Sequence, residues 1–528
     1  MSCSGSSSGG PQPPPPPPGI TVSGTFTYKN DEGRTGQNRN ETTLTPANVN
    51  SNRFGKLFSC PVDGYVYTQP LYVANVSIAG GIHNVVYVGT EHDSVYAFDA
   101  DNQSCQQLWK TSFIDPARGV TTVPAADVNG EDIGPEIGIT GTPVIDPQSK
   151  TLYVVARTKE NGLYFHRLHA LDITTGAERP GSPVVIQATV PGSGYDSVAG
   201  HITFNTLTEN ERPALLLKNG IVYFAFGALS DLDPYHGWVF GYDTSLRQVA
   251  VFNATPNGQR GGVWQSGAGL SADPNGNIYA VTGNGTFDQQ SGGLSCANPL
   301  AGCDFGDTTL KFNSNLTLTD FFTPFNQADL EAVDLDLGST TALVLPDQPG
   351  PVPHLLLVGG KEGKLYLLNR DTLGRFHVGD DSQIVQSFLA SFPGIFNTPA
   401  IWENNVYVGG RDDSMTLFRL QNGRFNPTTP VSVTNETFSY PGVNPTISSN
   451  GSTNGIVWAL ETGAFATHGP AILRAYDATN LANELYSSTD AGTRDQAGPA
   501  VKFTVPTVAN GKVFVGTQNQ LTVFGPLP

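Results

Sequence analysis

The sequence predicts an all-β chain closed into an eight-bladed β-propeller, and three observations carry that prediction. A four-part unit recurs about eight times along the 528 residues. The second strand of each unit is marked by an apolar core. The last unit lacks an outer strand, and the region before the first unit contains one. A unit this small cannot bury both faces of its own sheet, so repetition around an axis is the economical way to build one large core.

The clearest copy enters at Thr68-Gln69-Pro70, runs through Val86-Tyr87-Val88-Gly89, turns at Thr90 to Ser94, continues from Val95 to Asp99 and ends in Leu108-Trp109. The second strands centre on Tyr87, Tyr153, Tyr223, Tyr279, Leu357, Tyr407, Trp458 and Phe514. Prolines at Pro143, Pro213, Pro399, Pro445 and Pro506 mark entries, because proline is tolerated where a strand begins and no ladder donor is lost. The units are longer than the roughly 40 to 50 residues of compact propeller repeats, so the surplus belongs to loops. The last unit stops after Leu521 to Phe524, and Pro526-Leu527-Pro528 cannot continue a sheet. Arg53 to Phe58 is the expected missing strand, closing the ring and removing an open edge.

Residues 1–22 read as a Ser/Gly/Pro-rich tether, with Pro13 to Pro18 as a stiff spacer. Residues 23–52 read as a polar lead-in, and residues 53–528 as a single propeller domain. Cys3, followed by Ser and Gly, matches the start of a mature lipoprotein and predicts a lipidated, exported chain at the periplasmic or outer cell surface. Its membrane contact would be through that anchor alone. Gly 60, Pro 39 and only 14% charged residues suit an all-β fold. A net charge of −18 without a basic stripe argues against a nucleic-acid partner. Cys296 and Cys303 flank a short Pro/Gly loop and are expected to form a disulfide. Cys60 and Cys105 are expected on opposite faces of the ring and therefore unpaired.

Ala170-Leu171-Asp172-Ile173-Thr174-Thr175-Gly176 resembles the Ala-x-Asp-x-x-Thr-Gly segment of the tryptophan-docking repeat in pyrroloquinoline quinone (PQQ) propellers. Ala97-Phe98-Asp99 with Trp109, and Ala475-Tyr476-Asp477, are looser copies. The resemblance spans about residues 54 to 525. It implies an eight-bladed PQQ-like propeller, and with it two activities found on that fold: quinoprotein dehydrogenases and cofactor-free scaffold lipoproteins. The dehydrogenases place adjacent cysteines over the quinone, and this chain has no such pair. It also has no Cys-x-x-Cys-His haem attachment.

Long connections at about 114–140, 187–212, 286–308, 321–338 and 487–503 fall on one face, where function follows loop investment. His92, Lys361 and Arg411 on that face, with Trp264-Gln265 and Arg494, form the candidate ring for an anionic or polyhydroxylated ligand. His236 reads as a structural histidine. Asp329-x-Glu331-x-x-Asp334-x-Asp336 is the denser of two candidate calcium loops, with Asp334 and Asp336 as its ligands; Asp127 to Asp132 is the other. The first functional reading is a monomeric binding or scaffold propeller that engages a glycan or a protein through this face. The alternative is a PQQ-dependent dehydrogenase of an alcohol or sugar, with Ca²⁺, an external electron acceptor and Asp307 or Asp495 as proton acceptor. A carbohydrate-cleaving enzyme would need paired carboxylates that spacing does not reveal.

Overall fold

Residues 23–130, 132–288 and 302–528 are described by the computed structural model. Eight antiparallel sheets stand around one axis, each with a four-stranded core. In the first blade the strands are Leu71–Ile78, Gly81–Thr90, Ser94–Asp99 and Gln107–Ser112. The second strands of the following blades are Thr151–Glu160, Ile221–Ala228, Ile278–Val281, Leu355–Gly359, Asn405–Gly409, Thr453–Glu461 and Lys512–Gly516. Each contains the aromatic or leucine marker read from the sequence.

Both faces of every blade are covered by neighbours, so successive side chains of one strand feed two different cores. Val85 and Tyr87 pack with Leu152 and Val154 of the second blade, while Val86 and Val88 pack with Phe514 and Val523 of the last. Each such side chain contributes about 1.5–3 kcal/mol when fully buried, and the strands accordingly read as continuous rather than alternating apolar runs. The docking repeat has a visible cause. Trp109 Nε1 and the Tyr87 hydroxyl both donate to the Ile173 carbonyl of the next blade, at 2.9 and 3.0 Å. Gly176 turns there with φ +70°, and a Cβ on it would lie 2.6 Å from the Trp109 ring. The glycine gives the indole its seat.

The ring closes as expected. Phe54–Pro61 pairs antiparallel with Gln520–Pro526, Phe54 opposite Pro526 and Pro61 opposite Gln520. Phe54 then packs on Trp458, Tyr486 and Phe524, with ring centroids 5.4, 5.0 and 6.5 Å away.

The stretch read as a lead-in lies inside the propeller. Residues 23–38 cross the axis opposite the loop-rich face and bond to all eight blades at or beside their innermost strands. Gly24–Thr25 pairs with the first blade and Gln37–Asn38 with the seventh. Backbone N–H groups of Ile145, Ala272, Val344 and Ile401 donate to the carbonyls of Phe26, Glu32, Gly33 and Thr35. Thr27 bonds Leu215 O beside the third blade's inner strand, and Asn38 bonds Val508 O of the eighth. Inner strands leave one edge unpaired at the axis, and this segment satisfies those edges. Two fully buried cations anchor it. Lys29 Nζ donates to Thr398 O and Pro445 O, and Arg34 donates to Leu270 O, Leu215 O, Tyr28 O and the Thr27 hydroxyl.

One cysteine expectation is overturned. Cys60 and Cys105 form a disulfide, with Cα atoms 5.3 Å apart. The opposite-face argument treats blades as flat. Twist instead carries the closing strand across the outer part of the first blade, where Cys60 and Cys105 share a cluster with Phe58, Phe98 and Ala100. Cys303 is also disulfide-bonded. Cys296, its expected partner, and Cys3 lie outside the described residues.

Candidate functional site

Four of the five long connections converge over the axis and enclose a cavity of about 450 Å³. Asp132 comes from the first of them, Arg212 from the second, Val333 to Asp336 from the fourth and Phe503 from the last. Trp264, Lys361, Phe396, Arg411 and Tyr440 complete its principal wall.

Cations and aromatic rings alternate around this wall in a closed circuit. Lys361 lies 5.4 Å from the Trp264 ring and 5.8 Å from that of Phe396, and Arg411 lies 5.7 Å from Phe396 and 5.6 Å from Tyr440. Lys502, behind the wall, lies 5.9 Å from Tyr440 and 5.7 Å from Phe503; Arg212 bridges Phe503 at 4.7 Å and Trp264 at 5.1 Å. Such contacts contribute about 0.5–2 kcal/mol each, so the circuit holds its members in place.

Three of the four cations are already paired. Lys361 Nζ sits 2.7 Å from Asp334 and 2.5 Å from Asp336. Burial disfavours its charge, but the two carboxylates outweigh burial and hold its pKa above the usual lysine value. Lys502 Nζ lies 3.2 Å from Asp132, and Arg411 Nε 3.1 Å from Asp412. Burial opposes ionisation of Asp132, while Lys502 and Arg212 keep its pKa below the ordinary carboxylate range. Arg212 has no carboxylate within ion-pair distance among the described residues: it lies against the two flanking rings and acts on Asp132 only at longer range.

The sequence candidates divide. Trp264, Lys361 and Arg411 are brought together, and so are Asp334 and Asp336, whose carboxylates hold the Lys361 ammonium. His92 bonds Glu136 at 2.9 Å and does not line the cavity. Gln265 is buried, its amide donating to Ala268 O and Gly269 O and accepting from Val281 N. Arg494 is at the ring closure, where it bonds Asp495 and the carbonyl of Ser51. Asp495 also accepts from Tyr486 and Lys56 N there, so it is a closure residue and not an axial proton acceptor. Asp307 is fully buried behind the wall, taking Leu337 N and Gln327 Nε2; burial, then Asp336, pushes its pKa well up. His236 is held by Asp196 and Thr255, as a structural histidine would be.

Sequence reasoning missed Arg212, Phe396, Tyr440, Lys502 and Phe503. A signal was present: Tyr67, Phe396 and Phe503 each stand three residues before an entry proline, and Arg212 directly precedes one. An entry segment brings its preceding residues to the axial mouth.

No protein-family model matches the chain, and no curated protein does. Solved structures do match. Quinohemoprotein alcohol dehydrogenase ADHIIG from Pseudomonas putida HK5 superposes with a TM-score of 0.62 at 13% identity, covering 95% of this chain and 80% of that one. Quinohemoprotein alcohol dehydrogenase from Comamonas testosteroni gives 0.61 at 13% identity, with the same coverage. The chain has the PQQ-like eight-bladed propeller fold.

That fold raises the question of whether the residues fit PQQ, a flat ring system with three carboxylates. Among the described residues the wall presents one cation without a carboxylate in ion-pair distance, Arg212. Asp132, Asp231, Asp334 and Asp336 on the same wall outnumber its cations Arg212, Lys361 and Arg411, and Lys502 behind the wall brings the charges to balance. A trianion would meet a charge-neutral surface. Among the described residues no three His, Cys, Asp or Glu side chains are grouped to hold a metal ion; both oxygens of Asp336 are engaged, by Asn284 N and Lys361, and Asp334 Oδ1 takes Lys361 and the Asn284 amide, which leaves Asp334 Oδ2. The residues present fit neither the quinone nor its calcium.

Proposed function

We propose that this chain is a binding propeller whose axial cavity receives a sugar ring of a glycan. The observation that carries the reading is the charge-balanced wall, in which cations and aromatic rings alternate and carboxylates stand close by. Sugar recognition needs that mixture: hydroxyl groups donate to carboxylates and accept from cations, while apolar ring faces lie on aromatic surface. Phe392, 76% exposed beside the lining Pro393, and Val333, 64% exposed, provide apolar surface around the cavity for a neighbouring residue of the glycan. The Cys60–Cys105 disulfide supports export to an oxidising compartment, with Cys3 as the proposed anchor.

Titration of the purified chain with oligosaccharides, followed by calorimetry, tests the reading. Saturable binding that Trp264→Ala weakens at least tenfold is expected. Binding of PQQ with Ca²⁺ under anaerobic conditions, with alcohol-dependent dye reduction and no oligosaccharide binding, would overturn it in favour of the dehydrogenase.

A further inference from the structure

Resting on the glycan reading, we infer that the cavity takes the terminal residue of an acidic glycan, with Arg212 receiving the carboxylate of a terminal uronic acid. Two independent features of the structure lead there.

The first is that the axis is solid beneath the cavity. Gln69 N and Nε2 bond the hydroxyls of Thr142 and Thr507, and Lys29 N bonds Gln69 Oε1, so three blades and the crossing segment meet in one buried polar layer. Thr341 bonds the Thr398 hydroxyl and Gly269 O beside it. Tyr28, Ala214, Ala268 and Val505 fill the centre, and Asn444 caps the Tyr28 hydroxyl. A polymer cannot thread this axis. A cavity with one mouth admits a chain end, whereas an internal residue would have to carry chain in and out through the same opening.

The second is the state of Arg212. Every other cation of the circuit has a carboxylate within ion-pair distance, while this guanidinium, which acts on Asp132 only at longer range, is held between Trp264 and Phe503 with no hydrogen bond from its donors among the described residues. A planar fork fixed between two rings is arranged to take a carboxylate by two parallel bonds. One such cation matches one charge, which is what a terminal uronate brings. Asp231 and Asp334 remain on the wall to accept its hydroxyls.

The test compares three ligands on the full chain by calorimetry: a trisaccharide whose only uronic acid is its non-reducing terminal residue, its neutral methyl ester, and an oligosaccharide whose only uronate is internal and capped at both ends by neutral sugars. The acid is expected to bind at least roughly tenfold more tightly than the ester, in line with a charged hydrogen-bonded pair. That preference should shrink as salt rises. Arg212→Gln should abolish the preference, and Arg212→Lys, which keeps the charge without the fork, should restore part of it. The capped ligand should bind at least roughly tenfold more weakly than the acid, as steric exclusion requires. Equal affinity for acid and ester would overturn the role of Arg212, and equal affinity for the capped ligand would overturn end recognition. Failure of all three ligands to bind would instead refute the glycan reading itself.

Discussion

Arg34→Met is the most direct test of the segment that crosses the axis. The side chain is fully buried and makes four hydrogen bonds: to Leu270 O at 2.9 Å, Leu215 O at 3.1 Å, Tyr28 O at 2.9 Å and the Thr27 hydroxyl at 2.6 Å. Two of these reach the ring and two brace the segment against itself. Methionine fills a similar volume and removes the desolvation of the guanidinium, a cost visible in a pKa pulled down to about 10 by burial. The penalty is therefore the stranded acceptors. Leu215 O still receives the Thr27 hydroxyl, at 3.4 Å, which leaves Leu270 O and Tyr28 O without this donor. At about 1–3 kcal/mol for each orphaned buried carbonyl, the expected loss is about 2–6 kcal/mol. Urea denaturation followed by tryptophan fluorescence measures it, and limited proteolysis with N-terminal mapping shows whether residues 23–52 become cleavable first. A variant within about 0.5 kcal/mol of the parent, the range of ordinary surface substitutions, would refute the anchoring role.

Two further outcomes are expected. Cys60→Ser should cost about 2–4 kcal/mol, because the bridge closes a loop of 45 residues' separation and ties the closing strand to the first blade; reductant should lower the denaturation midpoint of the parent by more than that of the variant, in which the bridge at Cys303 remains, and equal shifts would refute the staple. Burial pushes the Glu91 carboxyl up to about 8, against the Gly138 N–H and Thr140 hydroxyl that favour its charge. Between its unfolded value near 4.5 and 8, the folded chain keeps a proton that the unfolded chain has released. Stability should therefore fall as pH rises through that window, by at most about 1.4 kcal/mol per pH unit for this group. Asp93, Glu209 and Glu211, likewise raised by burial, act in the same direction. Denaturation midpoints from pH 5 to 8 should show a shallower slope in Glu91→Gln, and an unchanged slope would refute the assignment.

The strands were legible because their signal is local. Tyr87, Tyr153 and Tyr407 each sit in an apolar run bounded by turn residues, and that pattern alone sets strand and turn. Closure was legible by subtraction, since Leu521 to Phe524 is left without an outer neighbour and Arg53 to Phe58 is an unused strand. The cavity face was legible from the loop lengths, and Trp264, Lys361 and Arg411 were found on it. Gln265 and Arg494 were misplaced because a polar residue at an entry or on a loop carries no local sign of whether it turns to the cavity or caps a backbone. Gln265 caps Ala268 and Gly269; Arg494 secures Phe54 and Ser51 at the rim.

By itself the sequence determined the number of blades, the order of their strands and the way the ring closes, all consequences of short-range apolar patterning and a count of strands. Tertiary structure alone decided what fills the axis and what lines the cavity. Residues 23–38 read only as a polar lead-in in sequence because their partners, the inner edges of eight blades, lie as much as about 470 positions away along the chain, as Asn38 and Val508 show. Cys60 meets Cys105 because twist brings two blade rims together, and Arg212 becomes the one cation of the circuit without a carboxylate in ion-pair distance among the described residues because of which acidic residues the ring happens to set beside its neighbours. Pairings of this kind depend on distance in space, and a linear sequence records only distance along the chain.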